Sequence, residues 1–266
     1  MRHAGLPVLG RRLCAVLLCA QVGLAMAAPP TLKIFAQSSL VSSTQMADPP
    51  RLLSVEVARE VQRRVGNADP IEVVPWARAI ALASKEANVV LLPVIRTPER
   101  DRFLTYAGPV FQLRFSAFAL RSRAAELRAS DPGLRSLRGG ARRGGVFAQL
   151  ARDAGYTVTD EVNNIDTALR MLRAGRYDLL FDSDEMVAIV MRQSGYEPDW
   201  LENMASLGSL NAYFAFSKGT PDAVVRAWDD ALSAMRRDGS LQKIYQRWLP
   251  GFMPPDAVAV PLKRPH

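Results

Sequence analysis

The sequence predicts an α/β protein built as two lobes, and three observations carry that prediction. Strand-length apolar runs alternate with helix-period segments between residues 31 and 93, the pattern of a wound parallel sheet with helices on its faces. A second series of the same kind begins after the glycines at 139 and 140. Two extended apolar segments, 111–121 and 210–218, bracket that second series as paired hinge strands would if the last helices return to the first lobe.

In chain order, residues 31–37 (TLKIFAQ) alternate and carry β-prone side chains, so they form the first strand. The small, polar, proline-ended segment 38–50 is a loop. Leu52, Val55, Val57, Ala58, Val61 and Val65 then recur at helical spacing, with Gly66 as the stop. Residues 71–74 make a short strand. Pro75 stands where a first helical turn tolerates proline and opens a helix over 76–86, with Ala79, Ile80, Leu82 and Ala83 as its buried stripe. The continuous apolar run 88–93 (NVVLLP) marks a strand covered on both faces.

In the second series, Gly139, Gly140, Gly144 and Gly145 lead into a helix over 146–154 that Gly155 closes. A strand near 156–161, a helix over 165–174, a strand over 177–181 and a helix over 185–193 follow. Two helices finish the fold: 221–237, with Val224, Val225, Trp228, Ala231, Leu232 and Met235 on its core face, and 240–248. The expected lobes are 28–117 together with 212–252, and 118–211, with 253–266 a proline-rich tail.

Residues 1–27 read as a signal peptide. Arg2, Arg11 and Arg12 precede an apolar run that ends in Ala25-Met26-Ala27. That run is shorter than the about 20 residues a membrane-crossing helix needs, so cleavage after Ala27 and a periplasmic location are expected. Removing the leader takes away Cys14, Cys19 and His3 and leaves His266 as the sole histidine. Such a chain has no thiol nucleophile, Ser-His-Asp triad, disulfide or His/Cys metal site, and no cofactor or metal is expected. The formal charge of +8 loses three units with the leader, and the basic residues are spread among acids along helices. A nucleic-acid stripe is therefore not predicted, while the positive balance suits an acidic ligand.

The segments PWARA (75–79), RTPER after its strand (96–100), AGPVF (107–111), ALRMLRAGRYDLLF (168–181), AYFAFSKGTPD (212–222) and DGSLQKIYQRWLPG (238–251) resemble a known family. It is the bacterial extracytoplasmic solute-binding proteins of the amino-acid-binding type, family 3, with the type II periplasmic-binding-protein fold. The resemblance covers nearly all of the mature chain. It implies two lobes, each a mixed sheet flanked by helices, joined by two hinge strands and closing on a small solute without catalysis.

The same resemblance implies the site. A strand-end arginine is a natural anion clamp, because ligands of open α/β sheets sit beyond the carboxyl ends of the strands. Arg100, in the turn that starts at Thr97, matches the arginine that binds a ligand carboxylate in relatives; its local alternative is an ion pair with Glu99 or Asp101. Trp76 matches the aromatic that stacks on the ligand, with core packing as its alternative. An acid at the end of the second lobe's strand receives the ligand ammonium in relatives. Asp182, Ser183 or Asp184 falls there; Asp182, directly after the apolar strand, is preferred, and a helix N-cap is the plain alternative. Gly145, with Gly144, offers backbone N–H groups to an anion, and Thr97 and Arg78 complete the expected ligand set.

Departures from the family pattern bear on the ligand. Pro93 and Ile95 stand where relatives place hydroxyl residues, Val146 and Phe147 where they place threonines, and Ser38, Ser39 and Leu40 where they carry an aromatic. These changes point to a less polar or differently shaped acid than a free amino acid. The expected function is a monomeric periplasmic receptor for a small acidic or zwitterionic solute, delivering it to an ABC permease. The other readings are a cyclohexadienyl-dehydratase-like enzyme using Asp182 or Glu185, and an accessory receptor for a signalling partner.

Overall fold

The computed structural model describes residues 30–37 and 52–256. The expected signal peptide, the loop over 38–50 and the tail from 257 onward lie outside the described residues. Eight strands form one curled mixed sheet in the order β2-β1-β3-β8-β4-β7-β5-β6.

The two ends of this sheet are built alike. At one end β1 (Lys33–Gln37), α1 (Leu53–Val65), β2 (Ile71–Val74), α2 (Trp76–Ala83) and β3 (Val89–Ile95) place β1 between β2 and β3, all parallel. At the other end β5 (Gly139–Arg142), α4 (Val146–Asp153), β6 (Val158–Val162), α5 (Ile165–Arg173) and β7 (Leu179–Ser183) place β5 between β6 and β7, again parallel. Parallel strands need a crossover to return in the same direction, and the intervening helices supply it.

Two strands of 17 residues each, β4 (Leu104–Leu120) and β8 (Leu201–Ser217), run through both halves. They pair antiparallel from Leu104 with Ser217 to Leu120 with Leu201, with register shifts after Ala107, Phe115 and Ala117 that bend the ribbon. β3 joins the far part of β8 and β7 joins the far part of β4, both antiparallel. The sheet is therefore mixed, as expected: parallel strands at its two ends and antiparallel pairings at its centre. α6 (Asp184–Gln193) covers the second half, while α7 (Asp222–Arg237) and α8 (Ser240–Trp248) return to the first, where α7 meets β4 and α1.

Most predicted elements occur within a residue or two of their expected places, but three features differ. β4 and β8 begin at Leu104 and Leu201 rather than at 111 and 210; the first half of β8 is a mixture of exposed and half-buried residues and lacks a continuous apolar run. α3 (Arg121–Ser130) was not predicted because only Ala124 and Leu127 of its ten residues are buried. The third is β5, whose glycines read as a turn before α4. A Cβ on Gly139 would stand 2.3 Å from Phe181 Cε2, and one on Gly140 2.3 Å from Tyr177 Cζ. These glycines therefore serve packing: they let two buried aromatic rings lie against the strand.

Candidate functional site

The carboxyl ends of β1, β3 and β5 converge on one cleft, the position where open α/β sheets bind ligands. Gln37 ends β1, Pro93 and Ile95 lie in the last turn of β3, and Arg142 ends β5; all four line the cleft. The space amounts to about 1020 Å3, part of it open to solvent. Helix starts add Leu53 and Ser54 from α1, Trp76 from α2, Val146 and Phe147 from α4, and Ile165 from α5. Phe111 and Leu113 of β4, Met186, Ile189 and Val190 of α6, and Trp248 of α8 close an otherwise apolar wall. Trp76, Arg100, Gly144 and Gly145, expected at the site, all line the cleft, as do Pro93, Ile95, Val146 and Phe147, which depart from the family pattern; Arg142 has no sequence signal that marks it, and Phe111 reads as part of a hinge strand.

Arg100 opens a short 3-10 turn after β3. Its Nη1 donates to the Ile95 carbonyl at 2.7 Å, and its guanidinium carbon lies 5.0 Å from the centre of the Trp76 ring. Of the two acids open to it locally, Asp101 is taken by a neighbour, accepting from Arg96 Nε and Nη2 at 2.9 Å each, and Glu99 acts on it only at longer range, without an ion pair. Among the described residues Arg100 thus faces the cleft with no carboxylate partner, and burial pushes its pKa down from the usual value. A desolvated cation resting on an aromatic face, with N–H groups to spare, has the chemistry to hold an anion.

Of the three candidate acceptors at the end of β7, Asp182 and Ser183 are otherwise engaged, while Asp184 keeps one buried oxygen, Oδ1, without a hydrogen-bond partner. Asp182 is fully buried, and Arg142 donates to it twice, Nε to Oδ2 at 2.6 Å and Nη2 to Oδ1 at 3.0 Å. The Ser183 amide adds a third bond to Asp182 at 2.8 Å. Ser183 caps α6 by accepting from the Met186 amide, and Asp184 lies 3.3 Å from Arg114 Nε. Glu185 accepts the Arg114 amide at 2.9 Å, and burial raises its pKa. No Asp or Glu lines the cleft among the described residues.

The remaining expected positions divide. The Gly144–Gly145 turn lies in the cleft; Gly144 adopts φ +66°, which glycine accommodates, and a Cβ there would be 3.6 Å from Trp76 Cδ1. The Gly145 amide donates to the Arg142 carbonyl at 3.3 Å, and Gly145 caps α4 without a side-chain bond. Thr97 and Arg78 do not line the cleft: the Thr97 hydroxyl accepts the Arg100 amide at 3.3 Å, shaping the turn, and Arg78 is exposed.

The sequence profile of the bacterial extracellular solute-binding proteins, family 3, matches residues 53–251. The chain belongs to this family. It is 27% identical over 202 residues to the L-cystine-binding protein TcyA of Bacillus subtilis (strain 168), covering 73% of this chain and 70% of TcyA. Among solved structures it resembles a histidine kinase sensor domain similar to periplasmic binding proteins (TM-score 0.70, 18% identity, 85% of this chain and 99% of that one). It also resembles a periplasmic His/Glu/Gln/Arg/opine family-binding protein from Silicibacter pomeroyi solved with lysine (TM-score 0.64, 17% identity, 83% and 98%). Both are likenesses of fold. Among the described residues no helix is long and apolar enough to cross a membrane.

Proposed function

We propose that this protein is a periplasmic receptor that captures a small carboxylate-bearing solute between two lobes, 28–117 with 212–252 and 118–211, and releases it unchanged. The observation that carries the reading is Arg100, a half-buried guanidinium stacked on Trp76 and without an acidic partner among the described residues. Around it, the uncapped starts of α1 and α4 offer backbone N–H groups of the kind that favour anions, although the Gly145 amide itself is spent on the Arg142 carbonyl. Family membership and the likeness to TcyA support capture for transport, with an ABC permease as the partner of a receptor we take to be monomeric. Binding without chemistry is favoured because Asp182 and Glu185, the acids an eliminating enzyme would use, are engaged by Arg142 and Arg114 and do not line the cleft.

The test is thermal denaturation of the purified protein against a panel of small organic acids. A bound acid raises stability by RT ln(1 + [L]/Kd), and Arg100→Ala is expected to remove that gain. An equal response from Arg100→Ala and wild type would defeat the arginine clamp. The likeness to a histidine kinase sensor domain favours one second reading, that the closed clamp signals to a partner protein; co-purification with a permease rather than a sensor kinase separates the two.

A further inference from the structure

Resting on the carboxylate-capture reading, we infer that the ligand is an apolar monocarboxylate with no ammonium group beside its acid, such as an aryl- or alkyl-alkanoate, and that free amino acids are disfavoured. Among the described residues the cleft lining holds Arg100 and Arg143 without a carboxylate partner, and no Asp or Glu to receive a ligand ammonium. Arg100 is the guanidinium held against Trp76 with no acid, whereas at the end of β7 Asp182 is occupied by Arg142 and Glu185 by Arg114, and Asp184, paired with Arg114 through Oδ2 but with its buried Oδ1 unpartnered, does not line the cleft. Arg142 in effect stands where a ligand cation would have to be, with its charge neutralised by a fully buried Asp182.

The rest of the wall matches an apolar body. Phe111, Leu113, Phe147, Met186, Ile189 and Val190 face the space, and Pro93 and Ile95 contribute no side-chain donor beside Arg100. An ammonium carried into such a cleft loses its water without gaining a carboxylate among the described residues, and that penalty falls on the amino acid alone; the matching desamino acid escapes it. The carboxylate of either ligand meets the same arginine, so the discrimination comes from the missing anionic partner for the ammonium rather than from a better clamp.

Isothermal titration with matched pairs tests this: 3-phenylpropanoate against phenylalanine, 4-methylpentanoate against leucine, with 3-phenylpropanamide as the uncharged control. The expected result is that each desamino acid binds at least about tenfold more tightly than its amino acid, and that Arg100→Ala abolishes the binding while Arg100→Lys recovers part of it. An amino acid that binds as tightly as its desamino partner overturns the inference and leaves the carboxylate clamp standing. An amide that binds as well as the acid, unaffected by Arg100→Ala, overturns the clamp itself. If no member of any pair binds, the apolar-acid class is wrong, and native mass spectrometry of the protein as purified then decides the capture reading by whether a different acid accompanies it.

Discussion

Arg142 and Asp182, 40 residues apart in sequence, are joined by two nearly parallel N–H···O bonds of 2.6 and 3.0 Å where β5 and β7 end side by side. Asp182 is fully buried and Arg142 nearly so, which makes the pair costly to break from one side. Asp182→Ala strands a buried guanidinium and is expected to destabilise the protein by about 3–5 kcal/mol in urea unfolding, while Arg142→Met with Asp182→Leu costs far less. A single-variant loss below about 1 kcal/mol would show that solvent reaches Arg142 and that the pair is not sealed.

The contact between Arg100 and Trp76 predicts a graded effect on binding. Trp76→Ala removes both the aromatic face and the wall beside Gly144, and is expected to weaken carboxylate binding by about 1–2 kcal/mol, roughly five- to thirtyfold. Trp76→Phe retains a ring and is expected to lose less. Titration with 3-phenylpropanoate measures both; an unchanged affinity in Trp76→Ala would remove Trp76 from the site.

Gly139→Ala and Gly140→Ala test the packing of β5. Each added methyl meets an aromatic carbon at 2.3 Å, and at Gly139 also the Thr157 carbonyl oxygen at 2.6 Å. Tyr177 is pinned by its hydroxyl bond to the Ala168 carbonyl and by complete burial, so it has little room to yield. Each variant is expected to lose about 2–3 kcal/mol in a denaturant midpoint measurement. Wild-type midpoints would mean that Phe181 and Tyr177 shift freely.

Acid sensitivity is expected from Glu60 on α1. Its pKa is lowered from 4.5 to about 2, chiefly by the hydrogen bond from Arg63, with Arg64 assisting against partial burial. Because the folded value lies below the unfolded one, ionised Glu60 contributes stability that is complete above pH about 4.5 and is lost as pH falls towards about 2. Solvent screening limits the effect to about 1 kcal/mol or less. Glu60→Gln is expected to flatten the fall in unfolding free energy between those pH values; an unchanged slope would assign the acid sensitivity elsewhere.

Much of this molecule was legible from residue order. The alternation NVVLLP, PWARA and RTPER gave β3, α2 and the Arg100 turn, and α8 occupies the predicted 240–248. Family membership rested on the same segments, in the order and spacing that the family profile matches over 53–251. What stayed hidden was set by partners distant in the chain. Gly139 and Gly140 look like turn residues until the rings of Phe181 and Tyr177 are laid over them, and α3 has too few buried positions to show a stripe.

The sequence by itself determined the α/β class, the alternation of strands and helices, and the arginine at the end of β3, because these depend on local periodicity and on neighbours a few residues away. Only the tertiary structure decided which charges are spent and which remain available. Asp101 goes to Arg96 and Asp182 to Arg142, so the cleft keeps Arg100 as a cation and, among the described residues, no acid. The physical reason is that a charge's availability depends on what its three-dimensional neighbours donate and on how much water burial removes, and neither is written in the spacing of the residues.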